Sequence, residues 1–392
     1  MEKTNIEKAL FVLVRNALMP EGAVAKKENI TLTHPEWGEL LTLAAKQGLF
    51  AVACDGLSQF NKESLHKDIA IRWGVGIEQI EKRYTRQIAV LNELSAIFKK
   101  RGVDILLLKG PLLGNLYPVK EHREFGDLDI YLPGNYDKGN EIIEKLGIGV
   151  DTTGDKHSKF TYRGISIENH KTFLNVTLNK TDISIERELH RILDEQSANQ
   201  TVNQTVNQSG CLNLYENQDN DLPVKLPPDN FTALFAIRHA IVHFLSSGLV
   251  IRHLTDLGLL FESRYDKIDF MQIVKILNQE RLLKLFVALL TIIKSELGME
   301  RGIILTKLAC SEQGIDFTQL AANEELVNKI YIDTIREFDN RPNADALLAM
   351  PLIKRKITGA VRLYNSRWKY DSIEKNLYYK TLIKRVLLAF KQ

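Results

Sequence analysis

Asp127 and Asp129 stand one residue apart in "EFGDLDIYL", and an extended chain sends residues i and i+2 to the same face. Two bare carboxylates side by side repel each other. A fold that keeps this segment extended must therefore bring positive charge up to that face. The residues just upstream, "LLLKGPLLGNLYPVKEHR", frame the pair. An apolar run ends at Lys109, Gly110 allows a tight turn, and Pro111 suits the first position of a helix reaching about Leu116, because the N–H that proline lacks has no helical partner there. A loop with Lys120, His122 and Arg123 then leads into the aspartates. Free N–H groups at a helix start can hold an anion. Two carboxylates suit Mg²⁺, a hard cation that prefers oxygen ligands and often bridges carboxylate to phosphate. An anion cradle beside a carboxylate pair is the arrangement that phosphoryl or nucleotidyl transfer requires.

Around this segment the hydrophobic period changes twice. In "GIEQIEKRYTRQIAVLNELSAIFKKRG" the residues Ile77, Ile80, Tyr84, Ile88, Leu91, Leu94 and Ile97 recur at steps of three or four, and Gly102 closes the helix. The runs "VDILLLK" and "LDIYL", and the pair "SKFTYRG" and "ISIENH" about Gly164, suit strands, with a helix "YDKGNEIIEKLG" between them that ends at Gly147. The segment "SANQTVNQTVNQSG" is polar and free of charge, which predicts a loop or linker. Its three sequons, at Asn199, Asn203 and Asn207, carry little weight without a secretory signal. From Asp229, a fitting N-cap, the pattern is helical again. The expected fold class is therefore α+β: an N-terminal helical region 1–101, a small mixed-sheet α/β domain 102–196, a polar loop or linker 197–228, and a C-terminal helical domain 229–392 with a basic tail.

A chain of 392 residues, 44% apolar and 26% charged, can bury a substantial core and does not have the composition of a disordered protein. Cys54, Cys211 and Cys310 are far apart with no CxxC pair, which argues against a disulfide framework or a zinc knuckle and suits a reducing cytoplasm. The N-terminal "MEKTNIEKALFVLVRNALMP" suits an amphipathic helix and lacks the cleavage site of a signal peptide. No window has the eighteen or so apolar residues of a membrane span. The charge is uneven: residues 353–392 hold eleven Lys or Arg against Asp371 and Glu374, a local balance of +9 that leaves the remainder near −6.

The stretch "LLKG…LYP…R…GDLDIYL" resembles the nucleotidyltransferase superfamily, the fold shared by DNA polymerase beta and the aminoglycoside nucleotidyltransferases. More narrowly it is similar to a family of uncharacterised bacterial nucleotidyltransferases. The motif covers about 25 residues, and the domain it implies about a quarter of the chain. The resemblance implies an enzyme that uses Mg²⁺ or Mn²⁺ to move a nucleoside monophosphate from a nucleoside triphosphate such as ATP to an acceptor. Asp127 and Asp129 would hold the metal, and Lys109, Gly110 and Arg123 would steady the triphosphate. It implies a third carboxylate on a later strand, for which Glu168 in "ISIENHKTF" is the candidate, with His170 beside it. Asp182 and Glu186 are rivals. Where the superfamily usually has Gly-Ser, this chain has Gly110-Pro111, so the phosphate-touching hydroxyl is absent and weight falls on backbone N–H groups and Lys109. The alternative is a catalytically inactive module that keeps the fold and binds nucleotide or a partner.

Three further features belong to the helical half. His239 and His243 have i, i+4 metal-ligand spacing, but no third ligand follows in the sequence, which favours core or pocket-lining side chains. Arg252 and Asp256 at i, i+4 predict a helix ion pair, and in the resembled family such a pair lines the acceptor side of the cleft. The tail interleaves Lys and Arg with Tyr364, Trp368, Tyr370, Tyr378, Tyr379 and Phe390. It suits a helix packed on the acidic remainder, with RNA, for example a tRNA, as the candidate acceptor if those cations are free. The acceptor itself is unassigned: a small molecule, a protein or RNA.

Overall fold

The structure is a computed structural model that describes residues 3–19, 31–59, 65–177, 180–202, 224–246, 248–321, 323–336 and 364–371, with the single positions 351, 354, 358, 361 and 379. Helix α1 (Asn5–Leu18) begins with a capping box, in which Thr4 accepts from the Glu7 N–H while Glu7 accepts from the Thr4 N–H. Helices α2 (His34–Lys46) and α3 (Phe50–Asp55) pack beside it. Helix α4 (Lys67–Lys99) has 33 residues, about 50 Å at 1.5 Å per residue. Its apolar stripe from Tyr84 to Phe98 is buried against the sheet domain.

The sheet has four strands in the order β1-β2-β4-β3. Strand β1 (Leu106–Leu107) runs antiparallel to β2 (Leu128–Tyr131), β2 runs parallel to β4 (Ile165–His170), and β4 runs antiparallel to β3 (His157–Tyr162). Between β1 and β2 lies α5 (Pro111–Gly114), a single turn where the sequence suggests a helix to Leu116. Helix α6 (Tyr136–Glu144) follows β2. One face of the sheet, with Leu128, Ile130, Ile167 and Phe160, buries against α4 and α6. Gly139 of α6 packs so close to Leu132 that a Cβ would sit 2.1 Å from the leucine Cδ1. The other face carries the charged residues.

Helix α7 (Lys180–Val202) continues past 196, so the segment expected as linker begins helical. Its far end is not a linker either. Val224 is buried, and Lys225 pairs with β1, its N–H donating to Ile105 O at 2.9 Å and its carbonyl accepting from Leu107 N–H at 2.9 Å. This covers the outer edge of β1, and an open edge is a template for unwanted pairing. Residues 203–223, with Asn203, Asn207 and Cys211, lie outside the described residues, as do the side chains around Asn199.

The C-terminal half is helical: α8 (Asp229–Leu245), α9 (Ile251–Arg264), α10 (Phe270–Gln279), α11 (Leu283–Ile292), α12 (Arg301–Glu312), α13 (Phe317–Ala321), α14 (Glu324–Ile335) and α15 (Arg367–Asp371). Pro228 caps α8 and Asp229 is its first helical residue, one position later than its expected role as cap. The apolar α8, α9 and α11 share one continuous core with α1 and α2, so the N- and C-terminal helices form one body around the sheet. In α15, Lys369 is 4% exposed, pairs with Asp333 at 2.6 Å and donates to Phe244 O, while Trp368 packs on Phe244. These tail residues serve packing. Lys354 and Arg367 are exposed, and most of the remaining tail lies outside the described residues. Among the described residues no helix is long and apolar enough to cross a membrane.

Gly56, the C-cap of α3, lies close against the backbone of α1: a Cβ there would lie 1.9 Å from Leu13 O. Gly56→Ala should therefore force α1 and α3 apart and cost about 1–3 kcal/mol, the range of overpacking. Thermal denaturation checks this, and an unchanged Tm would mean the two backbones are not in contact.

Candidate active site

The register of the sheet assembles the site. Asp129 on β2 stands opposite Glu168 on β4, and Glu168 stands opposite Lys159 on β3, so the three form a row across one face. His170, two residues after Glu168, and His157, its partner on β3, extend that face. Asp127 lies just before β2, two residues from Asp129. The structure thus brings Asp127, Asp129 and Glu168 together, with Lys109 beside them.

Each carboxylate meets different positive charge. Asp129 is 2% exposed, and its Oδ1 accepts from Lys109 Nζ at 2.8 Å and from His170 Nε2 at 2.9 Å. Burial by itself would raise its pKa, but Lys109 and His170 hold it far below the usual carboxylate range. Burial holds His170 below its ordinary pKa, and its ring is held between Asp129 Oδ1 at Nε2 and the Thr172 carbonyl, 3.2 Å from Nδ1. Glu168 is opposed by burial in the same way and held below its ordinary value by Lys159 at 2.5 Å, with His157 Nε2 at 3.3 Å from the same oxygen. Among the described residues Asp127 has no such partner within 4 Å. Burial, and next the charge of Asp129, push its pKa up to about 6. Lys156 completes the ring of charges: burial, and then Lys109, lower its pKa, and it makes no ion pair within 4 Å among the described residues.

These donors fit a hard divalent cation. Asp129 Oδ2 accepts no bond from the described residues, Asp127 carries a carboxylate whose charge lacks compensation, and a cation between them would relieve both. Glu168 Oε2 is 3.7 Å from His170 and has no closer ion-pair partner among the described residues, which makes it a third oxygen within the cluster.

The turn before α5 is held from behind. Gly110 has φ 67° and ψ −114°, a conformation suited to glycine, and a Cβ there would also press on Phe125 at 3.2 Å. Its carbonyl accepts from Arg123 Nη1 at 3.2 Å. Arg123, expected to touch the triphosphate, is 5% exposed and committed elsewhere: Nε and Nη2 donate to the two oxygens of Asp256 at 2.8 and 2.7 Å. Tyr117 OH donates to the same carboxylate at 2.8 Å. Asp256 therefore pairs with Arg123 and not, as its spacing predicts, with Arg252, which donates to Glu124 O at 2.7 Å. The basic loop is anchored again at His122, whose Nδ1 faces Asp55 at 2.8 Å and Nε2 faces Glu81 at 3.1 Å. Burial opposes its charge, but the two carboxylates raise its pKa.

Neither rival carboxylate joins the cluster. Asp182 is buried against Arg238 at 2.7 Å, and Glu186 accepts from the Phe173 and Leu174 N–H groups at 2.9 and 2.8 Å. Both shape the connection after β4. Sequence reasoning missed Lys159, Lys156, Tyr117 and the role of Asp256. Lys159 was recoverable, because a hairpin turning at Arg163 and Gly164 pairs Tyr162 with Ile165 and hence Lys159 with Glu168. Nothing local marks the others.

The site sets a pH dependence. Asp127 has a folded pKa of about 6 against an ordinary 3.8, so below about pH 4 it is protonated folded or unfolded and costs nothing. Above pH 6 its charge is imposed on the native state at up to about 3 kcal/mol. Without divalent cations, Asp127→Asn should raise Tm at pH 7.5 and leave it unchanged near pH 4. A mutant that gains nothing at pH 7.5 would contradict the raised pKa.

A family described as an uncharacterised nucleotidyltransferase matches residues 33–298, a span running from α2 through α11 that contains the whole acidic face. No curated protein matches the chain. Among solved structures, one reported as the "Solution Structure of Antibiotic-Resistance Factor ANT(2'')-Ia" aligns with 59% of this chain and 94% of that one at 12% identity, with a TM-score of 0.30. A likeness that distant carries no weight here.

Proposed function

The chain belongs to this family of uncharacterised nucleotidyltransferases, and on that premise we propose that it transfers a nucleoside monophosphate from a nucleoside triphosphate to an acceptor. The acceptor's nucleophile bonds to the α-phosphorus, the bond from that phosphorus to the bridging oxygen of the β-phosphate breaks, and pyrophosphate leaves. The observation that carries this reading is the cluster of Asp127, Asp129 and Glu168 on one sheet face beside the Gly110 turn.

In this reading Asp127 and Asp129 hold Mg²⁺ or Mn²⁺, and Glu168 is the third carboxylate. The metal, when bound, neutralises charge on the phosphate oxygens. The lowered pKa of Glu168 favours a charge-holding role over that of general base, since a base works best near the operating pH. Lys109 keeps Asp129 ionised and His170 fixes its oxygen from the other side. Lys156, without an ion pair among the described residues, is a candidate for the departing pyrophosphate. Arg123 acts through Gly110 as a positioning residue. The acceptor is a small molecule, a protein or RNA, and the burial of Lys369 removes one of the tail cations an RNA would need.

Incubation with each labelled nucleoside triphosphate, Mg²⁺ and a cell extract, followed by fractionation of the labelled product, tests the reaction and identifies the acceptor. Asp129→Asn should lower transfer at least about 10³-fold, since a catalytic metal contributes several kcal/mol and each 1.36 kcal/mol is tenfold. Mg²⁺ should raise the wild-type Tm at pH 7.5 and do so less at pH 5, where the proton on Asp127 competes. Nucleotide binding with no divalent-dependent transfer under any of these conditions would favour the non-catalytic module.

Arg123→Lys tests the positioning role separately. Lysine keeps the charge but cannot span both oxygens of Asp256, so transfer and Tm should fall together. A loss of triphosphate affinity with Tm unchanged would instead return Arg123 to direct phosphate contact.

A further inference from the structure

A second set of metal-binding donors stands on α8 and α9, apart from the acidic face. His239 and His243 are one turn apart on α8, and α9 brings His253 up to them, so that one ligand atom from each lies within 4.8 Å of the others. The ring centroids are 4.4 Å apart for His239 and His243, 4.6 Å for His243 and His253, and 5.6 Å for His239 and His253. Burial holds all three below their ordinary pKa, His243 at about 4, so at neutral pH each is a neutral imidazole, the form that binds a metal. His239 and His253 also line a cavity of about 10 Å³, the size of one water or one monatomic ion. Lys109 and Asp256 line it too, but Lys109 is paired with Asp129 and Asp256 with Arg123.

We propose that His239, His243 and His253 bind a divalent transition metal of the zinc class, with a fourth coordination position open to this cavity. Three neutral imidazoles without a carboxylate suit Zn²⁺ and its neighbours and do not suit Mg²⁺. Three protein ligands with one open position is the coordination of a zinc that meets water or a substrate group. Zinc–nitrogen bonds of about 2.05 Å in a tetrahedron place the nitrogens about 3.3 Å apart, a contraction that side-chain rotation can supply. His253 Nδ1 accepts from Val250 N–H at a long 3.3 Å. Binding through Nε2 moves the ring proton to Nδ1 and gives up that contact. The site stands independently of nucleotidyl transfer.

The test is titration of the purified, metal-free full chain with Co²⁺, followed by competition with Zn²⁺. One equivalent of Co²⁺ with the visible bands of a tetrahedral ion, displaced by Zn²⁺, is expected. His243→Gln and His253→Gln should each weaken binding at least about 100-fold, the upper end of what loss of a mere outer-shell partner costs. His66→Ala should leave it unchanged, which separates the site from the exposed cluster of His34, His66 and Asp68, and Glu168→Gln should do the same for the acidic face. Absence of the tetrahedral Co²⁺ bands in the wild type, or bands that survive both histidine substitutions, would overturn the proposal. If a variant fails to fold, the wild type still decides. Paramagnetically shifted imidazole N–H signals from three histidines support the site, and a Co²⁺ spectrum without them counts against it.

Discussion

The buried pair of Arg123 and Asp256 is the contact on which the arrangement of this molecule depends. It joins a loop just before the aspartates to a helix more than a hundred residues later, and both side chains are almost wholly removed from water. Neither charge is tolerable there alone. Removing one partner of such a pair typically costs about 3–5 kcal/mol, because the other is left buried and uncompensated. The bidentate geometry fixes the guanidinium in plane and leaves Nη1 aimed at the Gly110 carbonyl. One ion pair therefore sets both the docking of α9 and the shape of the turn beside Lys109. Tyr117, donating to the same carboxylate, adds the segment after α5 to the same node.

The acidic face follows a different rule. Asp129 and Glu168 lie in strand register, so the separation of their backbones is dictated by the sheet, while Asp127 stands one residue before β2. Charge compensation is divided unequally among them. Asp129 receives Lys109 and His170, Glu168 receives Lys159, and Asp127 receives too little to offset burial and the charge beside it. That inequality makes the face receptive to a cation at one end while keeping its other carboxylates ionised. The buried ring of His170 fixes the same Asp129 oxygen from the side opposite Lys109.

The helices serve this face in two ways. Those of the N-terminal part bury the back of the sheet and anchor the basic loop through Asp55 and Glu81. Those of the C-terminal part supply Asp256 and a wall lined by histidines. The matched span from 33 to 298 includes both, which fits a unit in which sheet and helical walls function together. Helix α1 and helices α12 to α15 lie outside that span but share its apolar core.

The sequence by itself determined what depends on local period and local backbone. Residues two apart in an extended run are near neighbours, so Asp127 and Asp129 had to lie close, although Asp127 stands one residue before β2; a proline after Gly110 had to start a turn of helix; and apolar residues at steps of three and four had to make α4. It determined less about lengths. The run at 103–109 makes a strand of only two residues, Leu106–Leu107, paired with Tyr131 and Ile130 of β2, and its outer edge is covered by Lys225, from a segment whose composition suggests a linker. Only the tertiary structure decided the pairing of buried charges. Arg252 is four residues from Asp256, yet the carboxylate goes to Arg123, whose Nε and Nη2 reach both of its oxygens, while Arg252 donates to the Glu124 carbonyl instead. The same holds for His253, which joins His239 and His243 only when α9 folds against α8, and for Glu168, which the register of a parallel pair of strands sets opposite Asp129 while Asp182 and Glu186 pair elsewhere.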